Sequence, residues 1–594
     1  MKPSRVRLAL WVAGIVAALA LPQAGRGAAD FDPLLDGGAL CAAPVAGPPA
    51  LLRGLVLAAT ETAPFQPVAP KPALDAAPVL YANLGTLSFK AGTASARAQQ
   101  WFDQGMRLSF GFNHAEAQRA FREAQREDPK CALCYWGEAL VLGPNINVPM
   151  MPEANAPALA ALAKAVALAP QAPPRDRALV EALATRYASD PKADRAALDA
   201  AYADAMAKVA QRYPKDDTIL ALYAEAMMDT QPWDYWQAGG AQPKGRGGAI
   251  VDTLETVLKR DPAHPGAIHL YIHAVEASTR PERALPYANR LASLMPGAGH
   301  IVHMPAHIYY RVGMYRTSLA ANQRALAVDE AYFRTSPSDP LYMSAYYPHN
   351  IHFLMVSAQM GGDGKAAIDA ARRLDAAMPV ELVRQFAIMQ PVKAAPYMTH
   401  AQFSDAATIL ALPAPAQGLA LVETMYHYAR AVAFAAKKDA AGAQREIDAL
   451  AALERDTDYK PFAEWNIPAK EIVQTAKLVA QGRLADAQGN LDAAAKAYED
   501  AIFVEDSLSY TEPPYWYYPV RQSLGSVRLR QGRYDEAEKA FRESLARVRG
   551  NGWALAGLAA TYKAKGDTTS EHAARRAYEK AWFGPAAGPG LAAL

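Results

Sequence analysis

Trp101, Gly105, Ala117, Phe121, Ala124 and Pro129 stand at fixed offsets inside the 34-residue window 98–131. Residues four apart share a helix face, so Trp101 and Gly105 set a large and a minimal side chain one turn apart. Ala117, Phe121 and Ala124 do the same on a second helix, and Pro129 ends it because proline has no N–H to donate. The window therefore predicts one helical hairpin. A lone hairpin cannot bury its apolar face, so the chain must stack hairpin on hairpin. Partial copies recur at 265–298 (Ala284, Ala288, Leu291, Pro296) and 299–332 (Gly313, Ser318, Asn322, Ala325). Others occupy 348–381 (Gly362, Ala367, Ala371, Leu374, Pro379), 475–508 (Gly482, Tyr498, Ala501) and 518–551 (Leu524, Gly525, Ala537, Phe541). A degenerate pair spans Trp553 to Trp582, and weaker helical pairs cover 132–260 and 382–460.

These offsets are those of the tetratricopeptide repeat, W-x2-L-G-x2-Y…A-x3-F-x2-A-x4-P. The predicted fold is all-α: a superhelical solenoid of antiparallel helix pairs. Residues 1–28 have the form of a signal peptide, with Lys2, Arg5 and Arg7 before the apolar run Leu8–Leu21, which is short for a membrane span. Residues 29–97, rich in Pro, Ala and Gly, predict an extended arm or linker lying against the solenoid. Residues 98–460 form the solenoid, with a histidine-rich groove at 265–381, and 461–594 carry the C-terminal repeats. The expected location is periplasmic or secreted, with no membrane span after signal removal.

The chain's net charge is +2, and its first 27 residues contribute +4. A nearly neutral mature chain without a basic block gives no support to nucleic-acid binding. The three cysteines are Cys41, Cys131 and Cys134. In an oxidising compartment the Cys131-Ala-Leu-Cys134 pair suits a local disulfide or simple packing. A redox or metal role is the alternative, and Tyr135 stands where haem attachment would need histidine.

Eight of the twelve histidines fall between His264 and His352. His269 and His303 are one repeat apart, as are His273 and His307. Numbered within their repeats, His269 and His273 are positions 5 and 9. His300, His303 and His307 are positions 2, 5 and 9 of the next repeat, and His349 and His352 are positions 2 and 5 of the third. Positions 2, 5 and 9 fall within roughly 60° of arc on a helix. Seven imidazoles are thus expected in one concave groove, contributed by three neighbouring helices about 8–10 Å apart. Imidazole suits Cu, Zn or Fe rather than Ca or Mg. Seven exceed one ion's ligands, so either two ions bind or some histidines serve as outer partners or acid–base groups. A polar peptide- or anion-binding groove is the plainer alternative.

Glu276, at position 12, could act as a carboxylate ligand or a base, and Glu225 is a second carboxylate candidate. Tyr310 and Arg311 could line the groove, although aromatic packing between helices explains Tyr310 equally well. The segment Gln231–Trp236 reads as a lid or a buried plug, and Gly239–Gly248 as an inter-helix loop rather than a phosphate loop. His114 reads as a cap or core residue. No nucleophile elbow, zincin or dinucleotide motif is present.

The strings FDQGMRLSFGFNHAEAQRAF, CALCYWGEALVLGPNIN, HPGAIHLYIHAVEAS and HMPAHIYYRVGMY resemble a bacterial family of exported or cytoplasmic tetratricopeptide proteins. The resemblance runs from about Leu84 to about Gly362, and its HPGxxHxxIH and HMPxHIxxRxG strings are more specific than the repeat pattern. It implies the fold and marks the histidine segments as a signature, but supplies no reaction. Cys134 departs from the family's pattern. The resulting expectation is a transition-metal site, with one or two ions, in an exported solenoid. Such a site would serve a metal-dependent oxidoreductase or hydrolase assisted by Glu276, Tyr310 or Arg311. The alternative is a scaffold that binds a peptide or partner protein in the groove without catalysis.

Overall fold

The computed structural model describes residues 78–190, 192–336, 340–591 and 594. The signal-like segment, Cys41 and most of the arm lie outside them. Among the described residues there are helices and two isolated bridges, Asn145–Val148 and Trp236–Pro243, and no strand. The fold is an all-α tetratricopeptide superhelix.

The first hairpin shows how sequence makes the repeat. Helix α1 (Ala96–Phe110) packs on α2 (His114–Glu127), and α3 (Ala132–Val141) follows. Asn113 caps α2 by accepting from Glu116 N. The Phe121 ring of α2 is wedged between two glycines. A Cβ at Gly105 of α1 would lie 2.5 Å from that ring, and one at Gly137 of α3 would lie 2.4 Å away. One aromatic thus locks its own hairpin and the next, which is why large and minimal residues alternate through the repeat. Truncating such a fully buried ring costs about 3–5 kcal/mol. The C-terminal repeats use the same lock. Gly482 of α12 (Ala469–Ala487) meets Tyr498 of α13 (Leu491–Glu505). Gly525 of α14 (Val520–Arg530) and Gly557 of α16 (Gly552–Lys565) both meet Phe541 of α15 (Tyr534–Arg547).

Between these regular ends lie α4 (Arg195–Arg212), α5 (Asp217–Asp229) and α6 (Pro265–Glu276). The helix expected to carry three histidines is broken in two, α7 (Gly299–His303) and α8 (Pro305–Arg311), because Pro305 interrupts it. Next come α9 (Tyr315–Thr335), a π-helical turn at Tyr342–Tyr346, α10 (Tyr347–Gly361) and α11 (Gly364–Ala377).

Residues 78–94 run without regular structure along α1. Gln104 binds this strap by donating to Val79 O and accepting from Tyr81 N, both at 2.8 Å, and Asp103 accepts from Phe89 N at 3.0 Å. Cys131 and Cys134 are joined as a disulfide at the start of α3.

The superhelix curls until its C-terminal repeats meet the central ones. Trp553 Nε1 donates to Gln359 O (2.9 Å), Tyr315 Oη to Arg549 O (2.8 Å) and Phe583 N to Gly361 O (2.9 Å). This contact changes the expected site. The histidines do not line an open concave groove; the returning chain closes over them.

Candidate metal centre

Helix α6 presents His269, His273 and Glu276 on one face at a spacing of four and three residues. His300 and His303 come from α7, His307 from α8, and His349 and His352 from α10. Six of these rings form two triads. His269, His273 and His300 each offer a ring nitrogen, and these nitrogens lie within 4.8 Å of one another. His303, His307 and His349 do the same. The triads adjoin: His273 and His307 have ring centroids 5.5 Å apart, and His300 and His303 5.8 Å. His352 stands outside both, 2.8 Å from the Tyr517 hydroxyl through Nε2. Its ring packs edge-on to Tyr517, 5.4 Å between centroids, so it is turned away from the space that His349 shares with His307.

The outer nitrogens are held first. His269 Nδ1 donates to Phe110 O at 2.6 Å. His273 Nδ1 donates to Glu276 Oε1 at 2.9 Å and His307 Nδ1 to Glu276 Oε2 at 2.6 Å. His303 Nδ1 meets Asn322 Oδ1 at 2.6 Å, and Asn322 Nδ2 is itself spent on Ser318 O. Carbonyl and carboxylate oxygens only accept, so each of these four imidazoles carries a proton on Nδ1, and a neutral ring then leaves Nε2 bare. The bare nitrogens then converge. His303 Nε2 lies 2.9 Å from His307 Nε2, which lies 3.3 Å from His349 Nε2. In the other triad His269 Nε2 lies 3.2 Å from His300 Nε2, and His273 Nε2 has no hydrogen-bond partner.

Glu276 therefore does not point at either inner space. Both its oxygens are taken by Nδ1 atoms, one from each triad, so it orients ligands and links the two groups. Burial opposes its ionisation, but the His307 and His273 rings outweigh that and hold the carboxyl below the ordinary range. Burial and the neighbouring rings push His269, His300, His303 and His349 well below the usual histidine value, and burial lowers His273. These five rings are neutral at pH 7, the form in which imidazole binds metal.

Each triad has its own phenyl wall. The Phe112 ring lies 4.4 Å from His269 and 5.6 Å from His300, and the Phe353 ring lies 4.4 Å from His307 and 5.0 Å from His303. Trp233 closes the first triad edge-on, 5.0 Å from His273, and Trp236 Nε1 donates to Ala274 O. The segment 231–236 thus covers the site. Phe112 (φ 54°) and Trp233 (φ 64°) both hold left-handed backbone, which bulky residues rarely adopt. A π-helical turn, whose Tyr346 packs on His300, adds a third irregularity beside the site.

Tyr310 is buried with its hydroxyl unpartnered, and its ring lies 5.9 Å from Phe353. Arg311 is committed to structure, donating through Nε to Glu276 O at 2.7 Å and through Nη2 to Ser278 O. Glu225 lies apart from the histidines, in a separate cavity with Arg186 and Asp229. His114 begins α2 and lines that same cavity.

Sequence spacing did not find the C-terminal loop that reaches the centre. Tyr510 Oη donates to Glu512 Oε1 at 2.5 Å and lies 3.5 Å from Glu276 Oε2, while Arg311 stacks over the Tyr510 ring at 5.3 Å. Burial raises Glu512 to about 7, opposed by Arg311 and helped by Glu276. Asn322 was visible only as a repeat residue, and Phe112 and Phe353 carried no signal of their own.

No protein-family model and no curated protein matches this chain. Solved structures similar to it include the APC/C Cut9–Hcn1 hetero-tetramer, at 12% identity over 83% of this chain and 77% of the other, with a TM-score of 0.30. A human IFIT1 dimer with PPP-AAAA matches at 13% identity over 80% and 88%, with a TM-score of 0.31. Yeast Tom70 matches at 11% over 82% and 91%, with a TM-score of 0.27. Likeness of this degree says nothing about ligand or activity. The chain itself is a tetratricopeptide solenoid with two abutting histidine triads buried where its C-terminal repeats meet the central ones.

Proposed function

We propose that this protein holds two transition-metal ions, one in each histidine triad, and that it is an exported metalloprotein. The observation that carries this reading is the His303–His307 contact. The two Nε2 atoms face each other at 2.9 Å with both Nδ1 protons already donated elsewhere. Between two neutral rings such a contact is repulsive in a buried site unless a metal ion or a shared proton lies between the nitrogens. At metal–nitrogen distances of roughly 2.0–2.1 Å, spacings of 2.9–3.3 Å correspond to ligand angles of about 90–110°.

The donors favour copper or zinc. All six inner ligands are imidazoles, and the one carboxylate bridges outer nitrogens, whereas open non-haem iron sites take two histidines and a carboxylate directly. A bound ion would supply Lewis-acid chemistry, or electron transfer if it is copper. The chain's own groups beside the second triad are the Tyr510–Glu512 pair and the Tyr310 hydroxyl, which can orient a polar ligand or carry a proton. These unspent groups support a metal-dependent enzyme.

One observation favours a second reading. Burial and closure by Trp233 and the 510–517 loop suit a metal that fastens the central helices of a partner-binding scaffold. Azide added to the copper(II)-loaded protein separates the two. An altered ligand-field or charge-transfer spectrum supports the open, catalytic site. An unchanged spectrum supports the closed, structural one.

A further inference from the structure

Helix α9 sets a polar stripe behind the two triads. Ser318, Asn322 and Asp329 fall within roughly 40° of arc on it, and all three are buried. Ser318 Oγ donates to Ala306 O of α8 at 3.3 Å and meets Ser357 Oγ of α10 at 2.8 Å. Asn322 holds the His303 ring at 2.6 Å. Polar side chains on an inward helix face cost stability unless they are matched, and these two are matched by the elements that carry the ligands.

Asp329 lies two turns beyond Asn322. Tyr342 Oη donates to Asp329 Oδ1 at 2.9 Å and accepts from His300 N at 3.0 Å. Asn350 Nδ2 donates to Asp329 Oδ2 at 2.8 Å. One carboxyl group thus reaches the main chain of His300, in the first triad, and the residue next to His349, in the second. The tie holds in either protonation state. Burial pushes Asp329 up to about 7, and a protonated Asp329 can donate to Tyr342 Oη and still accept from Asn350. A hydroxyl oxygen has two acceptor sites, so the His300 bond is kept as well.

His300 needs such an anchor more than its neighbours do. The Nδ1 atoms of His269, His273, His303 and His307 are each held by an acceptor, whereas His300 Nδ1 has no hydrogen-bond partner. A ligating imidazole ordinarily takes its direction from the partner of its second nitrogen. His300 must take it from its backbone and from the Tyr346 and Phe112 rings against it. Its helix, α7, has five residues and no side-chain cap, so its own hydrogen bonds fix that backbone poorly. The sequence also makes room for the carboxyl group: a Cβ at Gly299 would collide with Asp329.

We infer that Asp329 is a positioning residue of the metal centre, fixing His300 through Tyr342 and the start of α10, with His349, through Asn350. The inference rests on the metal reading above. It adds to Glu276, which joins the triads through imidazoles, a second carboxyl group that joins them through the main chain.

Asp329→Ala would leave two buried donors unmatched and could unfold the chain, so the test removes one arm at a time. Tyr342→Phe and Asn350→Ala are made in the full chain, loaded with copper(II), and followed by chelator competition and electron paramagnetic resonance. Tyr342→Phe should weaken one of the two ions by about 10-fold and change its signal. Asn350→Ala should do the same to the other ion, and the two changes together should affect both. General loosening of the fold would alter both ions alike in each variant. That result, or an ion unmoved by the loss of its own arm, would overturn the inference and leave the metal reading standing. A wild-type chain that binds no metal would overturn both.

Discussion

The C-terminal repeats and the central histidine repeats are built from the same hairpin, yet they spend their residues differently. In α12–α16 the helices are unbroken, and Tyr498 and Phe541 seat against facing glycines. In the centre, one helix position is filled by the five-residue α7 and the seven-residue α8, and a π-helical turn precedes α10. There the interior holds imidazoles and a carboxylate in place of aliphatic side chains. A polar interior costs stability unless every group is matched. The regular repeats stabilise a frame in which the central ones tolerate strain and bare nitrogens, and departure from the repeat rule marks the site.

The largest effect that would break this contrast is loss of metal without loss of fold. His303→Ala with His307→Ala should remove the second ion, lowering the metal content from two ions to one while the helical circular dichroism stays. His269→Ala with His273→Ala should do the same for the first. Loss of both ions from either variant would show that the triads act as one unit. Glu276→Gln comes next. An amide can accept from only one of the two Nδ1–H groups and points a donor at the other, so affinity at both triads should fall by about 10–100-fold in chelator competition.

Proton linkage separates the two regions without mutation. The folded values of His269, His300, His303 and His349 lie well below 6.5. Below that pH the unfolded chain binds protons that the folded chain refuses. Stability of the metal-free protein is thus fully present above pH 6.5 and falls as pH drops toward the folded values. The slope is at most about 1.4 kcal/mol per pH unit for each such histidine. Urea midpoints of wild type and the double variants between pH 7.5 and 5 check this, and the variants should show the shallower fall. The smallest change lies in the regular region. Gly525→Ala sets a Cβ 2.8 Å from the Phe541 ring and should cost about 1–3 kcal/mol, leaving metal content untouched.

The sequence made much of this legible, because helical spacing is local. The Trp101–Gly105 and Phe121 offsets set the hairpin, and the 34-residue spacing of His273 with His307 brought two repeats' rings to 5.5 Å. What stayed hidden depends on long-range closure. Tyr510 and Glu512 reach Glu276 only because the superhelix curls back, and its pitch is set by irregular helices such as α7 and α8. The same curl turned an expected groove into a buried centre. Glu276 looked like a ligand because position 12 faces the right way, but its reach to His273 and His307 at once could not be read from one helix. His352 shared a repeat phase with the triad histidines, yet its direction on α10 sends it to Tyr517.

Metal content of the full-length protein decides the central claim. After incubation with copper, zinc, iron and nickel and removal of excess, elemental analysis should find two ions per chain, copper or zinc in preference to iron. A chain that stays metal-free after that treatment would contradict the account.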